Sequence, residues 1–159
     1  MRIAVYALVA TIALASVPAA SLVVARVSGP KAAQIMHVRH EGMETIGKNF
    51  KMLTRELGGP SPNLGAVRAS AATIAGLSKK ASDWFPAGTG PEVGKTGAKP
   101  EIWQNPQDFA AKMSAFQKAA PAFSAAASGN DLAATKARFT ELAGTCKACH
   151  DKYRTEMHH

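Results

Sequence analysis

Apolar residues recur at intervals of three or four positions in four long stretches of the chain, the spacing that places them on one face of an α-helix. Turn-forming residues, mainly glycine, proline, serine and asparagine, separate these stretches at residues 28–30, 58–62, 105–106 and 128–131. Helices with one apolar face each bury those faces against one another. The pattern therefore predicts an all-α fold, an antiparallel four-helix bundle.

Local signals predict where these helices begin and end. The first should end near Leu57, and Ser61 is a candidate N-cap for the second, with Pro62 at its first helical position. Asn105-Pro106 should open the third helix in the same way, and Pro121 should kink it.

Both cysteines of the chain stand in one short motif near its end, Cys146-Lys147-Ala148-Cys149-His150. A redox dithiol would follow a strand of a βαβ unit, and no strand-like stretch precedes this motif. A structural zinc site needs four ligands, and the other histidines are far away in the sequence or at its end. The motif favours covalent attachment of haem c, in which two thiols bind the porphyrin and the adjacent histidine binds iron.

The predicted fourth helix carries this motif on its core-facing side. Its apolar face comprises Leu132, Thr135, Phe139, Leu142, Cys146, Cys149 and Tyr153. His150 lies one turn beyond Cys146, so the three attachment points share one helical face. We therefore expect one covalently bound haem c inside the bundle.

The first helix has one charged residue on its apolar face, which reads Met36, Arg39, Met43, Ile46, Phe50, Leu53 and Leu57. A guanidinium inside a core needs a partner, and a haem propionate could supply it. The alternative is that Arg39 reaches out to solvent at the edge of the bundle. Met43, one turn later, is a candidate axial ligand of the iron or a core side chain.

The N-terminus resembles an export signal. Met1-Arg2 is followed by an uncharged run from Ile3 to Ala25, with candidate cleavage points after Ala15 and Ala19. We expect residues 1–25 to be a cleaved signal peptide, with an uncleaved membrane anchor as the alternative. Residues 26–159 would then form one haem domain in the periplasm.

Four segments of the chain resemble the cytochrome c′ family: "RHEGMETIGKNFKML" from Arg39, "WFPAGTG" from Trp84, "KPEIW" from Lys99 and "CKACHDKYR" from Cys146. The resemblance implies a four-helix haem protein whose attachment motif lies near the end of the last helix. It also implies that the Gly- and Pro-rich segment 85–104 is a crossover that wraps the bundle, with Trp84 and Trp103 packed at its ends.

The resemblance also bears on the iron ligands. In the family, an arginine of the first helix lies near the propionates, and the side chain four residues later covers the distal face of the haem. The matching residues in this chain are Arg39 and Met43. Members resembling cytochrome c-556 use a methionine there as sixth ligand and carry electrons. Others keep iron five-coordinate and bind nitric oxide or carbon monoxide. His40 is a third candidate for the distal position.

The chain has a formal net charge of +8 at pH 7. Export makes nucleic acid an improbable partner, and the charge suits steering of an acidic periplasmic or membrane redox partner. Lys147, Lys152 and Arg154 lie close to the attachment motif. No catalytic constellation is evident, so we expect an electron carrier rather than an enzyme, with a gas-binding protein as the alternative and a homodimer as an open question.

Overall fold

The computed structural model describes residues 26–155, and four long helices contain most of them. The helices are α1 (Gly29–Gly58), α2 (Leu64–Ser78), α3 (Glu101–Gln104), α4 (Pro106–Ser128) and α5 (Leu132–Tyr153), with a 3-10 turn at Ala81–Trp84. The four long helices confirm the predicted number, and α3 is a single turn inside the predicted crossover. The predicted export signal lies outside the described residues. No helix within residues 26–155 is long and apolar enough to cross a membrane.

The start of α2 differs from the expectation. Asn63, not Ser61, caps this helix, because its side-chain oxygen accepts a hydrogen bond from the Ala66 amide at 3.0 Å. The Asn63 amide in turn donates to the Glu56 carboxylate at 3.0 Å. The helix therefore begins after Pro62 rather than at it.

Two contacts establish that α1 and α2 are antiparallel. The Ser70 hydroxyl donates to the Asn49 side chain at 2.7 Å, and Glu56 bonds the Asn63 amide. The step forward along α1 from Asn49 to Glu56 therefore corresponds to a step backward from Ser70 to Asn63. This order also places Asn49 on the flank of α1 that faces α2.

α4 is antiparallel to both α2 and α5. Gln117 donates to the Ser78 carbonyl at 3.1 Å, and Arg68 donates to the Ala127 carbonyl at 3.2 Å, which fixes α4 against α2. Thr135, near the start of α5, donates to the carbonyl of Ala126, near the end of α4, at 3.1 Å. The chain therefore runs up, down, up and down, as the sequence predicts.

The core lies along the axis of the bundle. One almost fully buried large side chain comes from each long helix, namely Leu53, Ile74, Phe123 and Leu142. Close packing joins α1 to α2, α2 to α4 and α4 to α5, whereas α1 and α5 approach each other only locally within the described residues. One of the four sides of the bundle is therefore less tightly closed than the other three.

The crossover between the 3-10 turn and α4 is anchored by two tryptophans, as expected. Trp84 is buried, and its indole lies against the backbone of α1 at Gly42. Trp103 donates from its ring nitrogen to the Phe85 and Pro86 carbonyls, both at 3.1 Å. The crossover is therefore tied to α1 at its beginning and to itself across its length.

Gly42→Ala should destabilise the fold. A Cβ at Gly42 would lie 2.4 Å from an atom of the Trp84 indole, so the helix or the ring must shift. We expect a loss of about 1–3 kcal/mol in the free energy of unfolding, measured by urea denaturation. The control is Gly76→Ala in α2, where nothing lies within 4 Å and the helix should gain up to about 1 kcal/mol. Equal stabilities of the two variants would contradict the close contact.

Candidate haem-binding site

The local contact between α1 and α5 is aromatic. The Phe50 and Phe139 rings lie with centroids 4.8 Å apart, and Phe123 of α4 packs behind Phe139 at 5.5 Å. These rings close one end of the gap between the two helices. Toward the start of α1 and the end of α5, no close packing joins the two helices within residues 26–155, and we call this loosely packed region between them the cleft.

Counting equal steps from the Phe50–Phe139 contact along the two antiparallel helices predicts which site residues are level with each other across this cleft. Because α1 and α5 run in opposite directions, the residue seven positions before Phe50 should be level with the residue seven positions after Phe139. Both lie about 10 Å along the helix axes from the aromatic pair. Those positions are Met43 and Cys146. One turn further, about 16 Å from the pair, Arg39 is opposite His150.

The two cysteines lie in the C-terminal third of α5, half-buried against the core. Burial raises the pKa of Cys146, and burial likewise raises the pKa of Cys149, although the charge of Lys112 opposes the second shift. Redox-active thiols instead have lowered pKa values and commonly lie at helix N-termini. The structure therefore argues against a redox dithiol.

His150 retains an exposed surface at the side of the cleft. The groups around its ring nevertheless desolvate it, and this burial lowers the pKa of His150, with the positive charge of Arg154 acting in the same direction. An unprotonated imidazole has the lone pair that a metal ion requires. The ring is therefore in the form suited to binding iron.

Met43 and His40 occupy different environments on α1. Met43 is half-buried and packs against the core. His40 has a side chain 54% exposed, and its ring lies 3.5 Å from the Glu44 carboxylate. Of the two, Met43 is the side chain directed into the bundle.

Arg39 is buried, with only 4% of its surface exposed, so the alternative that it reaches out to solvent is wrong. Its terminal nitrogens donate four hydrogen bonds to uncharged oxygens of the 3-10 turn and the crossover. The acceptors are the Trp84 carbonyl at 3.2 Å, the Thr89 hydroxyl at 3.2 Å, the Thr89 carbonyl at 2.8 Å and the Thr96 hydroxyl at 3.1 Å. Sequence patterns do not predict these partners, because nothing in the spacing of Thr89 and Thr96 relates them to Arg39.

Aromatic rings and one distant carboxylate complete the surroundings of this guanidinium. It lies 5.1 Å from the centre of the Phe85 ring and 6.0 Å from that of Trp103. Burial lowers the pKa of Arg39, and the charge of Glu92 opposes the shift. Because a guanidinium is not deprotonated in proteins, Arg39 is a buried positive charge. A bidentate bond to a propionate would have to displace an acceptor from at least one terminal nitrogen.

A second polar cluster, missed by the sequence analysis, holds the end of α5 against the start of α4. The buried Tyr153 donates its hydroxyl proton to the Asp108 carboxylate, and Lys152 donates to the same carboxylate at 3.0 Å. These two hydrogen bonds, that of Tyr153 first, lower the pKa of Asp108. Only tertiary structure joins these residues, which lie more than forty positions apart.

The cleft fits a haem attached through α5. It is lined by half-buried apolar and aromatic side chains, it has two unpaired thiols on one wall, and a neutral histidine follows the second thiol. These are the groups that covalent haem c requires.

The cytochrome c′ family model matches residues 34–154. The chain belongs to the cytochrome c′ family. A cytochrome c′ from Alcaligenes xylosoxydans xylosoxydans is 34% identical over 117 residues, which are 73% of this chain and 89% of the relative. A cytochrome c-554 from Cereibacter sphaeroides is 41% identical over 71 residues, 44% of this chain and 46% of that protein.

Solved structures of cytochromes c′ have the same fold. The protein from Shewanella frigidimarina has a TM-score of 0.74 at 32% identity, covering 81% of this chain and all of that one. That from Thermochromatium tepidum has a TM-score of 0.73 at 31% identity, with coverages of 83% and 100%. The predicted bundle and family are confirmed, and the cofactor of this cytochrome c′ family member is a single covalently bound haem c.

Replacing both Cys146 and Cys149 by alanine should abolish covalent attachment. Haem should stay with the wild-type polypeptide through acid–organic extraction and leave the double variant, because only the thioether bonds resist this treatment. Absorbance of the extract measures the result. Release of intact haem from the wild type would contradict attachment at this motif.

Asp108→Asn should make the stability of the fold less dependent on pH under acidic conditions. Because the folded-state pKa of Asp108 is lowered, its contribution to stability is present above the unfolded value of about 3.9 and is lost as pH falls through the folded value. Urea midpoints between about pH 6 and 3 should therefore fall less steeply in the variant. The control is Asp83→Asn, at an exposed residue of the 3-10 turn. Parallel curves for Asp108→Asn and wild type would show that the Tyr153 and Lys152 bonds do not stabilise the fold.

Proposed function

We propose that this protein is a periplasmic electron carrier with one haem, attached through Cys146 and Cys149, with His150 as proximal and Met43 as distal iron ligand. The observation that supports it is the register across the cleft. Counted from the Phe50–Phe139 contact, the half-buried Met43 of α1 is level with Cys146 of α5, which supports a distal role for its thioether.

The bound haem supplies the iron that changes oxidation state. His150 offers a neutral imidazole nitrogen from α5, and Met43 offers a neutral thioether from α1. Two neutral ligands from the two walls favour low-spin iron and a raised potential, and they close the iron to solvent. These properties suit electron transfer with little structural rearrangement.

Arg39 contributes to the proposal as a buried positive charge one turn from Met43. Because the crossover occupies its terminal nitrogens, we expect it to act on a propionate through charge rather than through a bidentate bond. A fixed positive charge favours the propionates in their ionised form.

The location follows from the cofactor and the N-terminal sequence. Attachment of haem c takes place outside the cytoplasm, and residues 1–25 have the features of an export signal. A membrane-anchored form is the alternative. No enzymatic reaction is part of this proposal.

The surface beside the attachment motif suits an acidic redox partner. Lys147, Lys152 and Arg154 are exposed there, and the whole chain has a formal net charge of +8. Lys147 pairs with Asp151 at 2.6 Å and Lys152 with Asp108 at 3.0 Å. The exposed Lys147–Asp151 pair is weak, so Lys147 remains available, together with Arg154, to steer a negatively charged partner, whereas Lys152 is held in the Asp108 cluster.

Gas binding is the second candidate function, and the relatives favour it. One solved relative is a ferrous variant of the Alcaligenes xylosoxidans cytochrome c prime with bound NO, at 28% identity and a TM-score of 0.72. If Met43 only fills the cleft without binding iron, the same site becomes five-coordinate and open to such ligands. Another relative has a ligand-controlled dimer dissociation, so a homodimer belongs to this alternative as well.

Met43→Leu separates the two functions. Leucine keeps the apolar volume against the core but lacks the thioether, so the variant should become high-spin and take up carbon monoxide. The measurement is the optical spectrum of the reduced protein with and without carbon monoxide. Met52→Leu, a half-buried methionine elsewhere on α1, is the control and should behave as wild type. A high-spin wild type that binds the gas readily would overturn the electron-carrier proposal in favour of gas binding.

A further inference from the structure

The crossover contacts both walls of the haem cleft. On α1 it surrounds the Arg39 guanidinium. At the end of α5 it forms a short antiparallel bridge, in which the Lys99 amide donates to the Tyr153 carbonyl at 3.0 Å and the Thr155 amide donates to the Gly97 carbonyl at 2.9 Å. It therefore connects two helices that approach each other only locally.

A single hydroxyl group joins these two attachments. The Thr96 oxygen accepts one hydrogen bond from Arg39 at 3.1 Å and another from the Ala98 amide at 3.2 Å. Ala98 is the crossover residue that pairs with Arg154 in the bridge. Thr96 therefore lies between the α1 contact and the α5 contact.

Both ends of this connection are close to the proposed iron ligands. Arg39 lies one helical turn before Met43. Arg154, in the bridge, donates its amide to the His150 carbonyl at 3.0 Å. The connection from Met43 to His150 therefore begins with one turn of α1, which leads to Arg39. It continues through the Thr96 hydroxyl to the bridge at the end of α5.

Direct contact between α1 and α5 leaves the width of the cleft weakly determined near Met43 and His150. Their aromatic contact, Phe50 with Phe139, is about 16 Å away along the helix axes. A small rotation about that contact would change the separation of Met43 and His150 by a larger amount than it changes the aromatic contact itself. The packing of α1 on α2 and of α5 on α4 limits this motion, and a link between the two walls near the ligands limits it further.

We propose that Thr96 is a positioning residue, whose hydroxyl links α1 to the end of α5 and so fixes the spacing across the cleft at Met43 and His150. This inference rests on the proposed function for its effect on iron ligation. The connection itself is independent of that function, because all of its bonds are between protein groups.

Thr96→Val in the haem-loaded protein tests the connection, because valine has nearly the same shape and no hydroxyl. The amides of Lys99 and Thr155 should exchange with solvent deuterium about five- to tenfold faster, since the bridge loses its support from Thr96. The reduced protein should show a larger high-spin fraction and greater carbon monoxide uptake than wild type. Thr73→Val, whose hydroxyl bonds only within α2, should change neither measurement.

Arg39→Lys is the second variant, because lysine keeps the charge but cannot make the four directed bonds. It should change exchange and spectrum in the same direction as Thr96→Val. Wild-type exchange at Lys99 and Thr155 in both variants would overturn the connection. Faster exchange with an unaltered haem spectrum would overturn the positioning role.

The proposed function and this inference fail in different ways. If the wild type is already five-coordinate, Met43 ligation is wrong, and the positioning role is then judged by the rate of carbon monoxide binding. A rate that differs between wild type and Thr96→Val, together with faster amide exchange, would support control of the cleft width by Thr96. Equal rates would overturn it.

Discussion

A helical bundle that holds a flat cofactor must leave one pair of neighbouring helices apart, and the rest of this structure follows from that constraint. Here the loosely joined pair is α1 and α5, while the other three sides pack closely. An aromatic contact between Phe50 and Phe139 prevents the open side from extending along the whole bundle. Apolar burial that would otherwise join the two helices is left for the cofactor to complete.

The antiparallel direction of α1 and α5 turns this gap into a site. Equal steps away from the aromatic pair bring Met43 opposite Cys146 and Arg39 opposite His150. This count brings a thiol, a thioether, an imidazole and a guanidinium to the same level of the two helices without any local sequence relationship between them. Raised pKa values keep the thiols protonated, and a lowered one keeps the imidazole neutral.

The crossover compensates for the missing contact between these helices. A buried guanidinium is costly unless its donors are satisfied, and here the Trp84, Thr89 and Thr96 oxygens satisfy them. The same segment pairs with the chain just after α5. A buried charge thus gives the crossover a defined place, which a flexible glycine-rich segment would not have by itself.

The sequence by itself determined the features that depend on periodicity and on neighbouring residues. The spacing of apolar residues predicted four long helices, Arg39 on a core-facing stripe and the attachment motif on the inner face of α5, because a helix places residues three and four apart side by side. The predicted capping residue of α2, Ser61, was wrong by two positions. Ser61 and Asn63 are both good caps, and only the hydrogen bond from Ala66 to Asn63 distinguishes them. Tertiary structure alone decided the partners of Arg39, the Asp108 cluster, the α1–α5 register and the bridge from the crossover to α5. These features join residues far apart in the sequence, and their pairing depends on how the helices pack rather than on any local pattern.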